Sequence, residues 1–220
     1  MKYAAFALIL ALAACAPASK KAEVPPAATA PAAGIPAGDY RLDPTHASLV
    51  FRVNHIGFSN YTARFTGISA NLALDPADPA AARLEAVVDA SSLALDNPPP
   101  GFLELILGPD WLDSAGHPEI RFHATKIELT APDKARVSGE LTLKGATKPV
   151  AFEARFNGGY AGLEKYDPQA RIGFSAYGSL NRSDFGVSIG IPEPGSTVGV
   201  SDKVEFLIEA EFLGPPLAAP

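Results

Sequence analysis

The stretch Val204-Glu205-Phe206-Leu207-Ile208-Glu209-Ala210-Glu211-Phe212 decides the fold, because an apolar side chain occupies every second position along it. An alternation with a period of two is typical of a β-strand that buries one face. A strand this long and apolar would promote aggregation if it lay at the unpaired edge of a sheet. The stretch therefore predicts a sheet that closes on itself.

The same alternation recurs upstream from Asp39 onward and predicts seven more strands. The parity of the pattern shifts by one at Gly67, which indicates a β-bulge that bends a single strand at a barrel corner. The apolar positions are Leu49-Phe51-Val53, Tyr61-Ala63-Phe65 continued by Ile68-Ala70-Leu72-Leu74, Leu84-Ala86-Val88-Ala90, Ile120-Phe122-Ala124, Val137-Gly139-Leu141-Leu143, Val150-Phe152-Ala154-Phe156-Gly158 and Ile172-Phe174-Ala176-Gly178-Leu180.

Eight alternating strands predict an all-β protein, either an antiparallel up-and-down barrel or a two-sheet sandwich. The mixture of Phe with Ala and Gly at the apolar positions suits a tapering interior and favours the barrel. The opposite face carries charges such as Arg121, Glu153 and Glu205, which argues against a barrel that contacts lipid.

One segment has helical spacing. Pro98-Pro99-Pro100-Gly101 ends the preceding strand, and Phe102, Leu103, Leu105, Ile106 and Leu107 follow. Two interpretations stay open here: the segment caps one end of the barrel, or it is a loop that buries its own apolar residues.

The first 14 residues are typical of a secretory signal. Lys2 supplies the positive charge and Ala4–Ala14 is an apolar run too short to span a bilayer as a helix. The run ends Leu12-Ala13-Ala14-Cys15, which resembles the lipobox of bacterial lipoproteins. That resemblance implies lipid attachment at Cys15; the alternative is an ordinary signal peptide. Ala16 is not the Asp that keeps such proteins at the inner membrane, so we expect attachment to the outer membrane, facing the periplasm.

The predicted domain organisation follows from these boundaries. Residues 1–14 are the signal, and residues 15–38 are the modified Cys with an Ala/Pro-rich linker that cannot bury enough surface to fold. Residues 39–213 are the barrel domain, and residues 214–220 form a short tail.

Composition excludes several kinds of function. The chain carries 18 basic and 24 acidic residues, so a nucleic-acid partner is not expected. A single Cys rules out an internal disulfide, a Cys-based zinc site and an iron–sulfur cluster. The four histidines His46, His55, His117 and His123 are scattered, and we predict neither a metal site nor catalytic residues, since no catalytic fingerprint is present.

Two polar positions stand out among the apolar ones. His55 shares the parity of Phe51 and Val53, so it would point inward near a barrel mouth, either bonded to a backbone carbonyl or touching a ligand head group. Arg182 and Asp184 lie two apart and would face the same side of a strand, where they either form an ion pair or leave Arg182 to contact a ligand. Gly186 would permit a tight turn after them.

The order of several motifs resembles the YceI-like family of bacterial periplasmic proteins. The most specific match is the strand-turn-strand pattern of residues 137–150. The chain departs from the family at residues 97–102, where the family's Arg-Asp pair before the helical segment is missing. The matching stretches are YRLDPTHASLVFRVNH (40–55), FTG (65–67), HPEIRF (117–122), VSGELTLKGATKPV (137–150), RSDFG (182–186) and VSDKV (200–204).

The resemblance implies an extended eight-stranded lipocalin-like barrel that binds polyisoprenoids, isoprenoid quinones or fatty-acid derivatives and has no established catalytic residues. Such a long-chain lipid would be a ligand, not a cofactor, and a homodimer stays open. The expected ligand-contacting set is Phe51, Val53, His55, Phe65, Phe122, Leu141, Phe152, Phe156, Phe174, Arg182 and Phe206; the alternative is that these residues fill a solid core.

The hypothesis is therefore a lipid-anchored carrier or sequestering protein. One alternative is an envelope-stress or structural interaction module, which a filled barrel would favour. The other is an enzyme acting on a small periplasmic substrate, which would need titratable groups that converge in a pocket.

Overall fold

The computed structural model describes residues 34–217. Within them nearly all regular structure is β, with one short helix, α1 (Phe102–Leu107). The strands are β1 (Gly38–His55), β2 (Ser59–Phe65), β3 (Ile68–Leu74), β4 (Arg83–Asp89), β5 (Leu93–Leu95), β6 (Glu119–Ala131), β7 (Lys134–Leu143), β8 (Ala146–Tyr160), β9 (Gln169–Asn181) and β10 (Val200–Pro216). None of the helices in this range is long and apolar enough to cross a membrane.

The strands form one closed antiparallel barrel. The order runs β10-β9-β8-β7-β6-β4-β3-β1, and β1 pairs again with β10 to close the ring. β2 and β3 are two parts of one bent strand, since both pair with β1, and β5 continues β4 beside β2. This confirms the predicted eight-stranded barrel and excludes the sandwich.

The bend between β2 and β3 lies at Thr66-Gly67, where the sequence predicted a bulge. The amide of Asp89 donates to the carbonyl of Gly67 at 2.8 Å, so the neighbouring strand follows the same corner. A Cβ on Gly67 would lie 3.0 Å from the Cβ atoms of both Asp89 and Ser92. Glycine therefore permits the close approach of the two bent strands.

The end of the barrel at which the chain enters is closed by a buried apolar cluster, and we call it the entry end. Ile35, Tyr40, Leu42, Ile172 and Phe212 pack together there, each less than 10% exposed. Ile35 is thus part of the packed domain although the sequence placed it in the linker, and β10 runs to Pro216, past the predicted boundary at 213.

An ion network ties three strands together near the same end. The Asp43 carboxylate accepts hydrogen bonds from Thr45 Oγ1 at 2.6 Å and from Arg171 Nη1 at 2.9 Å, and His46 Nδ1 lies 2.8 Å away. These three contacts hold the pKa of the Asp43 carboxyl well below its usual range. Arg171 also donates to Glu211 at 2.7 Å, so the network joins β1, β9 and β10.

The opposite end is covered by α1 and the turn that follows it, and we call it the cap end. Gly101 precedes the helix in the left-handed conformation, with φ of 78°. The apolar side chains of the segment pack onto a buried cluster of Ala63, Phe65 and Leu93 inside the barrel wall. The segment thus caps the barrel, and the alternative of a self-contained loop is wrong. The packed residues are Leu103, Ile106, Leu107 and Leu112.

Candidate ligand cavity

A cavity of about 840 Å³ runs through the barrel. Its wall is formed by inward-facing side chains of the strands, and it is overwhelmingly apolar. At the cap end it reaches Phe102, Trp111 and Arg182, and at the entry end it reaches Ile35 and Pro132. Packed protein cores contain few voids larger than one water molecule, so this interior is not a filled core.

The cavity is long as well as large. On β10 the lining residues extend from Val200 to Phe212, which is about 40 Å along the strand at about 3.3 Å per residue. Strands in barrels of this type tilt by about 40°, so the length along the barrel axis is about 30 Å. The shape is that of a tunnel suited to one extended chain.

All eleven residues that the sequence singled out lie on the wall of this cavity. Ten of them lie on strands, where a period of two sends every second side chain inward, and Arg182 lies in the turn after β9. The residues are Phe51, Val53, His55, Phe65, Phe122, Leu141, Phe152, Phe156, Phe174, Arg182 and Phe206. Their contact with a ligand stays a prediction.

The phenyl rings on the wall form two cross-strand rows. Phe122, Phe152 and Phe206 make the first row, with centroids 5.3 and 6.1 Å apart. The second row comprises Phe156, Phe174 and Phe212, with centroids 5.5 and 6.1 Å apart. Aromatic pairs at these separations are mutually favourable, so the rows give the tunnel a defined wall.

Glycine makes room for the first row. Gly178 pairs with both Phe152 and Phe206 on the neighbouring strands. A Cβ on Gly178 would lie 2.6 Å from Phe206 Cζ and 2.8 Å from Phe152 Cβ. The rings therefore lie over a position that only glycine can occupy without displacement of a neighbour.

Arg182 is the most deeply buried charged group at the cap end, with 5% exposure. Its guanidinium donates to the carbonyls of Val187, Val200 and Ser201 at 2.8, 2.9 and 3.0 Å. Burial lowers its pKa, and the nearby Asp202 carboxylate partly offsets this. The arginine thus ties Val187 of the loop and the first two residues of β10 to the end of β9.

The predicted ion pair between Arg182 and Asp184 is wrong. Residues 182–185 form a 3-10 turn and not a strand, so positions two apart do not face the same side. Gly186 ends this turn at a φ of 75°, as the sequence indicated. Ser183, not Arg182, contacts an acid here, donating to Asp202 through its backbone amide at 2.8 Å and its hydroxyl at 2.7 Å.

Two other polar side chains lie on the wall near the cap end. His55 is exposed to solvent while it lines the cavity, so it lies at the mouth, as its parity predicted. Tyr61 lines the same part of the wall and packs edge-on against Phe102 of the cap at 6.3 Å. Its hydroxyl is buried and has no hydrogen-bond partner among residues 34–217.

The expected ligand-contacting set left out Tyr61 and Trp111, although both line the cavity. Tyr61 shares the inward parity of Ala63 and Phe65, and that signal could have found it. Trp111 lies in the cap, and its ring stacks on the guanidinium of Arg182 at 5.5 Å from the ring centroid. No periodic pattern indicates such a contact.

A group of Asp43, His46 and Glu211 brings three potential metal ligands within 4.8 Å of one another. Arg171 Nη1 donates to both carboxylates of this group, so a guanidinium already neutralises them. His117 and His123 lie elsewhere, beside Asp113 and Glu85. The group is an ion network of the barrel wall, and we assign no metal to it.

A closed eight-stranded barrel around a long apolar cavity defines the class of lipocalin-like β-barrel proteins. Within that class the chain belongs to the YceI-like domain family, whose model matches residues 40–212.

A sequence relative agrees with this assignment, and two solved structures share the fold. A UPF0312 protein of Pseudomonas putida is 34% identical over 165 residues, which cover 73% of this chain and 80% of the relative. The crystal structure of Burkholderia cenocepacia BcnA has a TM-score of 0.63 at 22% identity and covers 77% of this chain and 98% of BcnA. A polyisoprenoid binding domain from Saccharophagus degradans has a TM-score of 0.56 at 14% identity, and the match covers 80% of this chain and 98% of that domain.

Proposed function

We propose that the protein binds one long-chain isoprenoid, or a related amphiphile such as a quinone, inside the barrel and acts as a periplasmic carrier or sequestering protein for it. The observation that carries this proposal is the apolar tunnel of about 840 Å³. Burial of apolar surface contributes roughly 25 cal/mol per Å². A long hydrocarbon chain can therefore bind without a charged anchor.

The length of the tunnel favours a long chain over a single fatty acyl chain. The hydrocarbon core of a bilayer is about 30 Å thick and consists of two leaflets. A tunnel of similar length is longer than one acyl chain, whereas an isoprenoid of several units would fill it. The structural neighbour from Saccharophagus degradans is described as a polyisoprenoid binding domain, which supports the same ligand class.

The membrane attachment and the periplasmic location rest on the sequence around Cys15, which lies outside the described residues. Attachment through Cys15 would keep the barrel near the lipid surface that supplies its ligand. A linker rich in Ala and Pro would separate the lipid anchor from the barrel.

Catalysis receives less support than binding. An enzyme site needs titratable groups that converge on one point. The titratable side chains of the wall are instead spread along the tunnel, with His55 and Arg182 at the cap end and Asp133 and Lys134 at the hairpin between β6 and β7. The alternative of an interaction module is weakened by an interior that is not filled.

The test is extraction of the purified protein with organic solvent, followed by mass spectrometry of the extract. We expect a stoichiometric isoprenoid-type lipid from the native chain. Ala176→Phe would place a ring inside the tunnel, since Ala176 is 6% exposed and lines it, and should remove the lipid. Ser179→Phe, on the exposed face of the same strand, is the control and should retain it. Absence of lipid from native protein that also fails to take up a quinone analogue would refute the proposal.

A further inference from the structure

Two loops at the cap end present large apolar side chains to solvent. Phe58, in the turn between β1 and β2, is 88% exposed. Val198 and Ile189, in the loop between Gly186 and Val200, are 76% and 47% exposed. Side chains of this size gain nothing from folding when they are exposed to water. We call Phe58, Ile189 and Val198 the rim.

The two loops form one continuous surface. The amide of Ile56 donates to the carbonyl of Gly199 at 2.8 Å, and the amide of Val200 donates to that of Gly190 at 2.7 Å. A Cβ on Gly57 would lie 3.4 Å from the Cβ of Thr197, so the turn rests on the loop. The rim residues are therefore held in fixed positions at one barrel end.

Charge distinguishes the rim from other exposed apolar residues. The turn of residues 56–59 carries no charged side chain, and the loop of residues 186–199 carries only Glu193. Tyr166, at the entry end, is 90% exposed but is flanked by Lys165 and Asp167. Charged side chains beside an apolar one oppose its transfer into lipid. The cap end, which carries the rim, is therefore the end suited to entering the interface of a bilayer.

The rim also lies beside the cavity mouth. His55 ends the strand that leads into the Phe58 turn, and Val187 and Val200 flank the loop; all three line the cavity.

The linker length allows this end to reach the membrane. Cys15 and Gly34 are 19 positions apart, and a Pro-rich chain of that length can reach at most about 57 Å at about 3 Å per residue. The barrel is about 43 Å long along its axis, from the 17 residues of β10 at about 3.3 Å each and a tilt of about 40°. A chain anchored at Cys15 can therefore pass along the barrel and bring the far end to the same bilayer.

We propose that the rim docks on the surface of a phospholipid bilayer, so that a lipid passes between the bilayer and the cavity at the cap end. Docking depends only on the rim residues, whereas the passage of a lipid also depends on the function proposed above. Insertion of each large rim side chain would strengthen binding to the bilayer.

The barrel closes and its core is complete within residues 34–217, so this segment can be tested alone. Because the segment lacks Cys15, no lipid anchor at that residue can contribute to its binding. The first measurement is flotation with vesicles of phosphatidylcholine and phosphatidylethanolamine. We expect the segment to float with the vesicles, and the variant Phe58→Ser/Val198→Ser to lose affinity by roughly tenfold for each side chain removed. Tyr166→Ser, an equally exposed aromatic residue at the other end, should float like the parent.

Three results would overturn the proposal. They are absence of vesicle binding by the parent segment, equal binding by the rim variant, and an equal loss in Tyr166→Ser. Analytical ultracentrifugation provides a fourth: a dimer that the rim substitutions dissociate would identify a second copy of the chain as the occupant. Near-ultraviolet circular dichroism checks that the rim variant is folded.

The passage of lipid is measured separately, as the rate at which a fluorescent polyprenol moves from vesicles to the protein. We expect the rim variant to slow this transfer while its occupancy after loading in detergent stays unchanged. A parent segment that takes up neither polyprenol nor a quinone analogue in detergent would refute the proposed function, whereas the flotation result would still decide whether the rim docks.

Discussion

The guanidinium of Arg182 lies 5.5 Å from the ring centroid of Trp111, and this contact joins the cap to the barrel. Arg182 bonds to the carbonyls of Val187 in the loop before β10 and of the first two residues of β10, while Trp111 belongs to the segment that follows α1. The cap and this loop therefore share one anchor. Movement of α1 and the following turn away from the barrel end would separate the indole from the guanidinium.

Arg182→Lys should destabilise the protein by about 3 kcal/mol. A lysine ammonium cannot reach three diverging carbonyls, and each hydrogen bond of a charged group contributes roughly 1.5–3 kcal/mol. Urea unfolding followed by circular dichroism measures the change. Arg64→Lys is the control, since Arg64 is half exposed and pairs at 3.6 Å with an exposed Asp96; it should change the unfolding free energy by less than about 0.5 kcal/mol. Equal effects of the two substitutions would contradict the anchoring role.

Trp111→Ala should speed the release of a bound long-chain lipid by about tenfold, because a cation–π contact of a desolvated arginine contributes up to about 2 kcal/mol. Stopped-flow exchange of a fluorescent polyprenol gives the rate. Tyr177→Ala removes an aromatic ring from the outer wall, where it is 63% exposed, and should leave the rate unchanged. A release rate unaffected by loss of the indole would show that the cap does not limit exit.

Gly178→Ala should destabilise the barrel by about 1–3 kcal/mol, since its Cβ would meet Phe206 Cζ at 2.6 Å in an interior that resists overpacking. The same strand offers a matched control in Gly173, where the nearest atom to an added Cβ is 3.8 Å away. Thermal unfolding of the two variants compares them directly. The aromatic row would not depend on Gly178 if both alanines behaved alike.

Asp43→Asn should reduce stability at neutral pH and flatten the acid limb of the stability profile. The folded-state pKa of Asp43 is depressed, so its contribution is present above the unfolded-state pKa near 4 and is lost as the pH falls toward the folded-state value. Urea unfolding between about pH 7 and pH 2 measures this. Asp78→Asn is the control, because the Asp78 side chain does not cap the 3-10 turn that follows it; its profile should keep the slope of the parent.

Sequence periodicity was sufficient to predict the barrel and its wall. The ten strand residues that the sequence selected as ligand contacts all line the cavity, because side-chain direction along a strand follows parity. Parity could not give the role of Arg182, since residues 182–185 leave the strand geometry on which the prediction depended.

Contacts between distant positions lay beyond sequence reasoning for a different reason. Asp43 and Arg171 are separated by 128 residues, and their bond depends on the register that closes the ring. The contact between the motifs RSDF (182–185) and VSDKV (200–204) also depends on how the strands pair. These two motifs meet when Ser183 donates to Asp202, which nothing in either motif alone indicates.

Affinity for prenols should rise with chain length and then level off where the chain fills the tunnel. Each buried methylene contributes up to about 0.8 kcal/mol, so affinity grows while added units still enter the cavity and stops growing once they protrude. Ala210→Phe would shorten the tunnel from the entry end, since Ala210 lines the cavity and is 9% exposed beside Phe212. It should move the plateau to shorter prenols and leave the affinity of the shortest ones unchanged. Leu207→Phe, on the outer face of the same strand, should keep the plateau of the parent. Isothermal titration with a series of prenols solubilised in detergent distinguishes these outcomes, and a plateau insensitive to Ala210→Phe would mean that ligands do not reach the entry end.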